Sequence, residues 1–201
     1  MVNTTPSKNS LENYFLPFTA NKDFKKEPRL LDRGEGVYYW NHKGDKVIDA
    51  SSGLFCVPLG HGRKEIADAV HQQLLKLDYS PSFQVSHLPA FACAEKIANM
   101  LPGDLNNVFF TICGSTAIDS AIKIVQAYQH AVGQSHRMKF VSRERAYHGV
   151  NIGGTSLSGM IKNREIFTAS MPGVIHLRHT WLSENKFKKG QPEEGAHLAD
   201  D

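Results

Sequence analysis

Apolar residues recur every three or four positions in three segments of the chain, which predicts three amphipathic helices. These segments are residues 63–77, 88–101 and 116–130. Pro102 and Gly103 follow the second segment and would end that helix. A further short helix is predicted over residues 10–15, within an N-terminal arm that runs to Asn21.

Short apolar runs predict strands elsewhere in the chain. Residues 37–40 and 46–49 flank a four-residue turn and are typical of a β-hairpin. Three more strands are predicted at residues 107–112, 138–142 and 174–177. From Asn107 onward the strands alternate with helices, so the pattern predicts a mostly parallel α/β sheet.

Composition narrows the class of protein. The 201 residues carry a net charge of +3 with no dense stripe of Lys and Arg, so we expect no nucleic-acid partner. No apolar run approaches the ~20 residues that span a bilayer, and the polar N-terminus lacks a secretory core. The three cysteines form no CxxC pair, which favours reduced thiols and a cytoplasmic location. His176 and His179 lack a third ligand, so no metal site is predicted.

A short turn at Gly114 and Ser115 separates a predicted strand from the third predicted helix. The turn places backbone N–H groups and a hydroxyl at a helix N-terminus, which favours a bound anion such as phosphate. For the turn taken alone, a Ser or Thr cap on an ordinary helix is the simpler interpretation. The sequence has neither a GxGxxG fingerprint nor a Walker motif at this turn, so a dinucleotide or P-loop site is not predicted.

Tyr147 and His148 end a second apolar stretch further along the chain. Tyr147 could stack on a planar ring, and a phosphate site followed by a stacking aromatic suits a phosphorylated aromatic cofactor. His148 could hydrogen-bond to a cofactor oxygen or to neighbouring backbone. A buried tyrosine and a core histidine are the alternatives to these two roles. Leu54 and Phe55 could line an apolar substrate pocket or pack in a core, and Phe83 could be an exposed loop residue or an interface contact.

Several segments, in the same order along the chain, resemble the class III (ω-amino acid) aminotransferases, which are pyridoxal-phosphate enzymes of fold type I. The matching segments are residues 16–21, 52–55, 60–66, 77–81, 108–111 and 147–157. The resemblance implies an α/β fold in which a small-domain segment precedes the mostly parallel sheet of a large domain. Residues 1–50 would form the N-terminal arm and small-domain hairpin, and residues 51–201 an incomplete cofactor-binding large domain.

The resemblance also implies roles for single residues. Gly114 and Ser115 match the pair that holds the cofactor phosphate, and Tyr147 matches the aromatic residue stacked on the pyridine ring. Three residues match positions that shape the substrate pocket, namely Leu54, Phe55 and Phe83. The family usually has Trp where this chain has Phe55. The aromatic at position 83 reaches the neighbouring subunit's active site in the family, which implies a homodimer or tetramer.

The implied reaction moves an amino group from an ω-amino acid or amine, such as β-alanine, to pyruvate or another keto acid through pyridoxal 5'-phosphate. Another donor (γ-aminobutyrate, ornithine or a diamine) is an alternative, and so is a non-catalytic remnant that only dimerises or binds a ligand. The Schiff-base lysine and the acidic partner of the pyridinium nitrogen match no residue here, so we assign no catalytic residue and expect the chain alone to be inactive. Residues 193–201 open a helix without a closing signal, which predicts a fragment of a longer protein.

Overall fold

The computed structural model describes residues 11–167 and 170–181. The chain divides into two compact units, Met1–Ala90 and Phe91–Asp201. The division into domains at residues 50 and 51 stays a prediction, because this border between units does not test the domains of a larger fold. The short helix predicted over residues 10–15 begins outside the described residues, and in its described part Leu11 and Glu12 are helical.

The first unit contains a three-stranded antiparallel sheet in the order β1–β2–β3. Its strands are β1 (Leu31–Glu35), β2 (Tyr38–Asn41) and β3 (Lys46–Ile48). Trp40 lies opposite Lys46 in the register of β2 and β3, which confirms the predicted hairpin. The Asn41 side-chain oxygen accepts two backbone N–H groups of the turn, both at 2.9 Å, so this side chain stabilises the connection.

The helical segments up to residue 98 include two of the predicted helices. They are α1 (Asn21–Lys26), α2 (Ser52–Phe55), α3 (Lys64–Lys76) and α4 (Leu88–Ala98). The segments α3 and α4 confirm the predicted helices, with α4 ending at Ala98 rather than Leu101. The short α2 is not an ordinary helical turn, because Gly53 and Leu54 have φ angles of 58° and 57°, in the left-handed region.

The second unit combines helices with a two-stranded parallel sheet. Its elements are α5 (Gly114–Ala131), β4 (Phe140–Arg143), α6 (Ile152–Leu157), a 3₁₀ turn (Ile161–Asn163) and β5 (Val174–Leu177). Phe140 pairs with Val174 and Arg143 with Leu177, which confirms the predicted parallel arrangement. The helix α6 lies between the two strands in the chain, so these elements form a strand–helix–strand unit.

The predicted strand over residues 107–112 is wrong. The structure describes this segment without strand pairing, and Ile112 at its end is 94% exposed. The apolar pattern of a strand is local, whereas a strand forms only where a neighbouring edge accepts its backbone hydrogen bonds. Within the described residues no such edge pairs with this segment.

Close packing occurs where α6 meets α5. A Cβ added at Gly153 would lie 2.8 Å from Ile122 Cδ1 and would also collide with Asp119. Among the described residues, Ile122 is the one buried apolar side chain. Large apolar side chains stay exposed in both units, and burying each would be worth about 1.5–3 kcal/mol. Much of the hydrophobic stabilisation available to this sequence is therefore unused within the described part of the chain.

Candidate cofactor-binding site

The N-terminus of α5 presents an open cradle. Cys113 occupies the N-cap position with extended backbone. The N–H groups of a helix's first turn have no intrahelical partner. A Cβ at Gly114 would meet no heavy atom within 4 Å. An anion can therefore approach the N–H groups of this first turn closely, as the sequence suggested.

The pKa of the Cys113 thiol indicates the electrostatic character of this helix end. Hydrogen bonds from the Thr116 side chain and backbone hold the pKa of Cys113 below its usual value, and desolvation opposes this only in part. The Cys113 sulfur lies 3.4 Å from Thr116 Oγ1. The helix end therefore stabilises negative charge, which is the property that a phosphate-binding site requires.

The structure brings the Gly114–Ser115 turn against the loop that carries Tyr147. Val150 N–H donates to Ser115 Oγ at 3.0 Å. A Cβ added at Gly149 would lie 2.7 Å from Ser115 Oγ and 2.8 Å from Ser115 Cα, and the φ of Gly149 is +111°. Only glycine fits this approach. Since Ser115 Oγ accepts the bond from Val150, its hydroxyl hydrogen can donate to an anion in the cradle.

Tyr147 and His148 differ in their surroundings. Tyr147 is 57% exposed, so its ring is available to a planar ligand. His148 is half-buried, and its Nε2 lies 3.0 Å from the hydroxyl of Ser142, which is buried on β4. The contact to β4 matches the interpretation of His148 as a structural histidine and helps to hold the Tyr147 loop.

The predicted substrate-pocket residues all lie in the first unit. Leu54 and Phe55 belong to α2 and are 73% and 83% exposed, and Phe83 is 89% exposed in a loop. None of them is used in a core within the described residues, so the core-packing alternative for Leu54 and Phe55 is not supported. Their role toward a substrate stays a prediction.

Two site features were missed in the sequence. The close contact of Gly149 and Val150 with Ser115 depends on the packing of the second unit and has no local signature. Asp49 lies just before α2 and accepts hydrogen bonds from the segment that follows it. An Asp ahead of a Ser-Ser-Gly sequence is a recognisable turn signal, and it could have drawn attention to this residue.

The sequence can be placed among known proteins by its family model. The model described as aminotransferase class-III matches residues 19–198. The chain belongs to the class III aminotransferases. The chain is 47% identical over 196 residues to the omega-amino acid–pyruvate aminotransferase of Pseudomonas putida, covering 97% of the chain and 44% of that relative. It is 46% identical over 189 residues to the beta-alanine–pyruvate aminotransferase of Pseudomonas aeruginosa, covering 94% and 42%.

Solved structures of class III aminotransferases share the fold. The omega-transaminase of Pseudomonas jessenii in complex with PMP has a TM-score of 0.85 and 31% identity, covering 96% of this chain and 42% of that one. The (S)-enantioselective omega-transaminase of Thermomicrobium roseum has a TM-score of 0.84 and 34% identity, covering 90% and 41%. These likenesses confirm the predicted fold type I. The chain spans less than half the length of these relatives.

Class III aminotransferases depend on pyridoxal phosphate, and the cradle described above fits this cofactor. Gly114 leaves space for a phosphate, Ser115 places a hydroxyl beside it, and the helix end stabilises negative charge. In the described part of the chain no three His, Cys, Asp or Glu side chains form a metal-binding group. No helix of the described residues combines the length and apolar character of a membrane span.

Proposed function

We propose that the complete gene product is an aminotransferase that moves an amino group from an ω-amino acid or amine, such as β-alanine, to pyruvate. The observation that carries this proposal is the contact between Ser115 and the Gly149–Val150 backbone at the N-terminus of α5. This contact joins a phosphate cradle to the loop of an exposed tyrosine. The names of the Pseudomonas relatives support the donor and the acceptor.

The chain's own residues would bind and orient the cofactor. The first N–H groups of α5 and the Ser115 hydroxyl would hold the phosphate, and Tyr147 would stack on the pyridine ring. When bound, pyridoxal phosphate supplies the aldehyde that takes up the amino group and the ring that withdraws electrons from the reacting carbon. Leu54, Phe55 and Phe83 would shape the space for the donor and the keto acid, and Phe83 would do so across a subunit interface of a homodimer or tetramer.

No residue of this chain is proposed as the Schiff-base lysine or as the acidic partner of the pyridinium nitrogen. The protein would act in the cytoplasm on small molecules. Residues 1–201 alone would bind and orient without transferring an amino group. A diamine donor is a second candidate, because a putrescine–pyruvate aminotransferase of Pseudomonas aeruginosa is 36% identical to the chain and covers 87% of it.

The test is transamination by the complete gene product loaded with pyridoxal phosphate. β-Alanine, γ-aminobutyrate, ornithine and putrescine are each supplied with pyruvate, and the alanine formed is measured. We expect the highest kcat/KM with β-alanine. Preference for putrescine would favour the second candidate, and no alanine from any donor would favour a protein that binds ligand without catalysis.

A matched pair of variants links the activity to the cradle. Ser115→Ala removes a hydrogen bond to a charged group and should weaken pyridoxal phosphate binding by about ten- to a hundredfold. Ser135→Ala removes an exposed hydroxyl whose partner is His130, away from the cradle, and should leave binding unchanged. Equal affinities in both variants would remove Ser115 from the proposed site.

A further inference from the structure

The backbone of the α2 segment is unusual. Ser52, Gly53, Leu54 and Phe55 have φ angles of 52°, 58°, 57° and 68°. A run of consecutive left-handed residues is rare, since every non-glycine residue in that region brings its Cβ close to a carbonyl oxygen. The backbone N–H groups of Leu54 and Phe55 bond to Ser51, but their large apolar side chains cannot form the local hydrogen bond by which Asn or Asp side chains stabilise this conformation. The surrounding residues must therefore impose it.

Both carboxylate oxygens of Asp49 accept hydrogen bonds from residues at the start of this segment. Asp49 Oδ2 accepts the Gly53 N–H at 2.7 Å, and Oδ1 accepts the N–H and the hydroxyl of Ser51, both at 3.2 Å. The Asp49 side chain is only 5% exposed. Gly53 is itself confined, because a Cβ there would lie 3.0 Å from Val57 Cγ2. One carboxylate thus accepts hydrogen bonds from the residues at the start of the left-handed turn.

His61 fixes the carboxylate in turn. His61 Nε2 lies 2.8 Å from Asp49 Oδ2, and the imidazole is 12% exposed. The Tyr39 ring packs on it, with 4.3 Å between the ring centroids. The His61 backbone bonds in both directions with Gly36, N–H to carbonyl at 2.8 Å and 3.0 Å. The sheet of the first unit therefore holds His61, and His61 holds Asp49.

We propose that Asp49 is a positioning residue for the substrate pocket, and that its His61-anchored carboxylate holds residues 52–55 in the left-handed turn that presents Leu54 and Phe55. The hydrogen bond from His61 lowers the pKa of Asp49, so the carboxylate is charged at neutral pH and accepts from all of its donors. The inference rests on the proposed function only in taking Leu54 and Phe55 as pocket residues. Substrate selectivity is then the property that Asp49 controls.

The experiment compares Asp49→Asn with Asp45→Asn in the complete gene product. Both variants make the same chemical change, but Asp45 is exposed in the hairpin turn, where its carboxylate accepts from the Asn41 side chain. An asparagine at position 49 replaces one carboxylate oxygen by an NH₂ group. This group cannot accept a hydrogen bond from the donors that face it. We expect the ratio of kcat/KM for β-alanine to that for a bulky arylalkylamine to change about tenfold, the effect of one lost hydrogen bond to a charged group. The dissociation constant of pyridoxal phosphate should stay unchanged, and Asp45→Asn should change neither quantity.

A second pair of variants keeps the inference testable if Asp49→Asn does not fold. His61→Gln retains an N–H donor at the position of Nε2, whereas His61→Met does not. We expect His61→Gln to keep the wild-type selectivity ratio and His61→Met to shift it as Asp49→Asn does. A fall in kcat with every substrate, with the ratio unchanged and cofactor lost, would indicate a merely structural role and overturn the inference.

Hydrogen exchange separates this inference from the proposed function. Amides of residues 51–57 should exchange about tenfold faster in Asp49→Asn and His61→Met, from the loss of one charge-assisted bond. Amides of α5 should keep their wild-type rates. If the wild-type protein transfers no amino group, the proposed function fails while the exchange result still decides whether Asp49 holds the turn. Unchanged exchange at residues 51–57 in both variants would refute the positioning role.

Discussion

Replacing Gly149 by alanine tests whether the cofactor loop must touch the N-terminus of α5. The φ of Gly149 is +111°, a conformation that costs a residue with a side chain about 1–3 kcal/mol. The added Cβ would lie 2.7 Å from Ser115 Oγ and 2.8 Å from Ser115 Cα, closer than real Cβ atoms approach. The loop must therefore withdraw from the helix.

The withdrawal breaks a specific hydrogen bond. Val150 N–H and Ser115 Oγ are 3.0 Å apart, and the loss of such a bond costs about 0.5–1.5 kcal/mol net. Together with the backbone strain, Gly149→Ala should lower the free energy of unfolding by about 2–4 kcal/mol. Ser115 would also lose its orientation toward the phosphate, so pyridoxal phosphate should bind about ten- to a hundredfold more weakly.

The assay combines chemical denaturation of the complete gene product with titration of pyridoxal phosphate by its absorbance. Gly133→Ala is the matched control, because Gly133 also has a positive φ, +75°, but a Cβ there would meet nothing within 4 Å. It should cost about 1–2 kcal/mol of stability through backbone strain alone. Its affinity for the cofactor should equal that of the wild-type protein.

Two results would refute the reasoning. If Gly149→Ala bound pyridoxal phosphate as tightly as wild type, the contact with Ser115 would not shape the phosphate cradle. If Gly133→Ala weakened cofactor binding as much as Gly149→Ala, the effect would come from general destabilisation rather than from the approach of the loop to Ser115.

Further predictions concern single side chains. Phe55→Trp should narrow the proposed pocket and lower kcat/KM for a bulky amine more than for β-alanine, because an indole is larger than a phenyl ring; equal losses with both donors would contradict the assignment. Cys113 should react with iodoacetamide at a lower pH than the other two exposed cysteines, because its pKa is lowered, and Thr116→Val should slow that reaction. Mass spectrometry of the labelled peptides measures both effects, and equal rates at all three thiols would show that the helix end does not activate Cys113. The hydrogen bond from His61 lowers the pKa of Asp49 in the folded protein. The charged carboxylate therefore stabilises the fold fully at pH values above the ordinary pKa of 3.8. This stabilisation is lost as the pH falls through the lower pKa of the folded state. The difference in Tm between wild type and Asp49→Asn should therefore be constant near neutral pH and shrink below 3.8, and a difference that persists in stronger acid would assign it to packing.

The elements that local patterns specify are those the sequence predicts well. The helix α5 has an apolar face and a turn ahead of it, and the hairpin has its two runs and its turn within a dozen or so residues. The strand β1 (Leu31–Glu35) contains a single large apolar residue and was not predicted, yet it pairs with β2. The segment at 107–112 shows the opposite case, with the apolar pattern but no partner strand in the described residues. Pairing is a long-range property, so periodicity along the chain does not reveal it.

The candidate site also has features that local sequence patterns predict and features that they do not. The turn at Gly114 and Ser115 and the aromatic at Tyr147 are visible as motifs, because each is a short run of residue types suited to an anion or a ring. The contact between Ser115 and Gly149 is not visible, since it depends on how α5 packs against the loop after β4. The resemblance to the class III aminotransferases connects the Gly114–Ser115 turn with Tyr147, because the matching segments occur in the same order along the chain as in that family.

The left-handed turn at residues 52–55 is where local preference and observed structure disagree most. Three non-glycine residues in this region cost about 1–2 kcal/mol each, or about 3–6 kcal/mol together. One ordinary hydrogen bond, at about 0.5–1.5 kcal/mol net, does not offset a strain of that size. Asp49 instead collects donors from Ser51, Gly53 and His61 on one carboxylate. Because a strained segment persists only where its surroundings over-determine it, the network implies that the exposed positions of Leu54 and Phe55 are specified rather than left to a mobile loop.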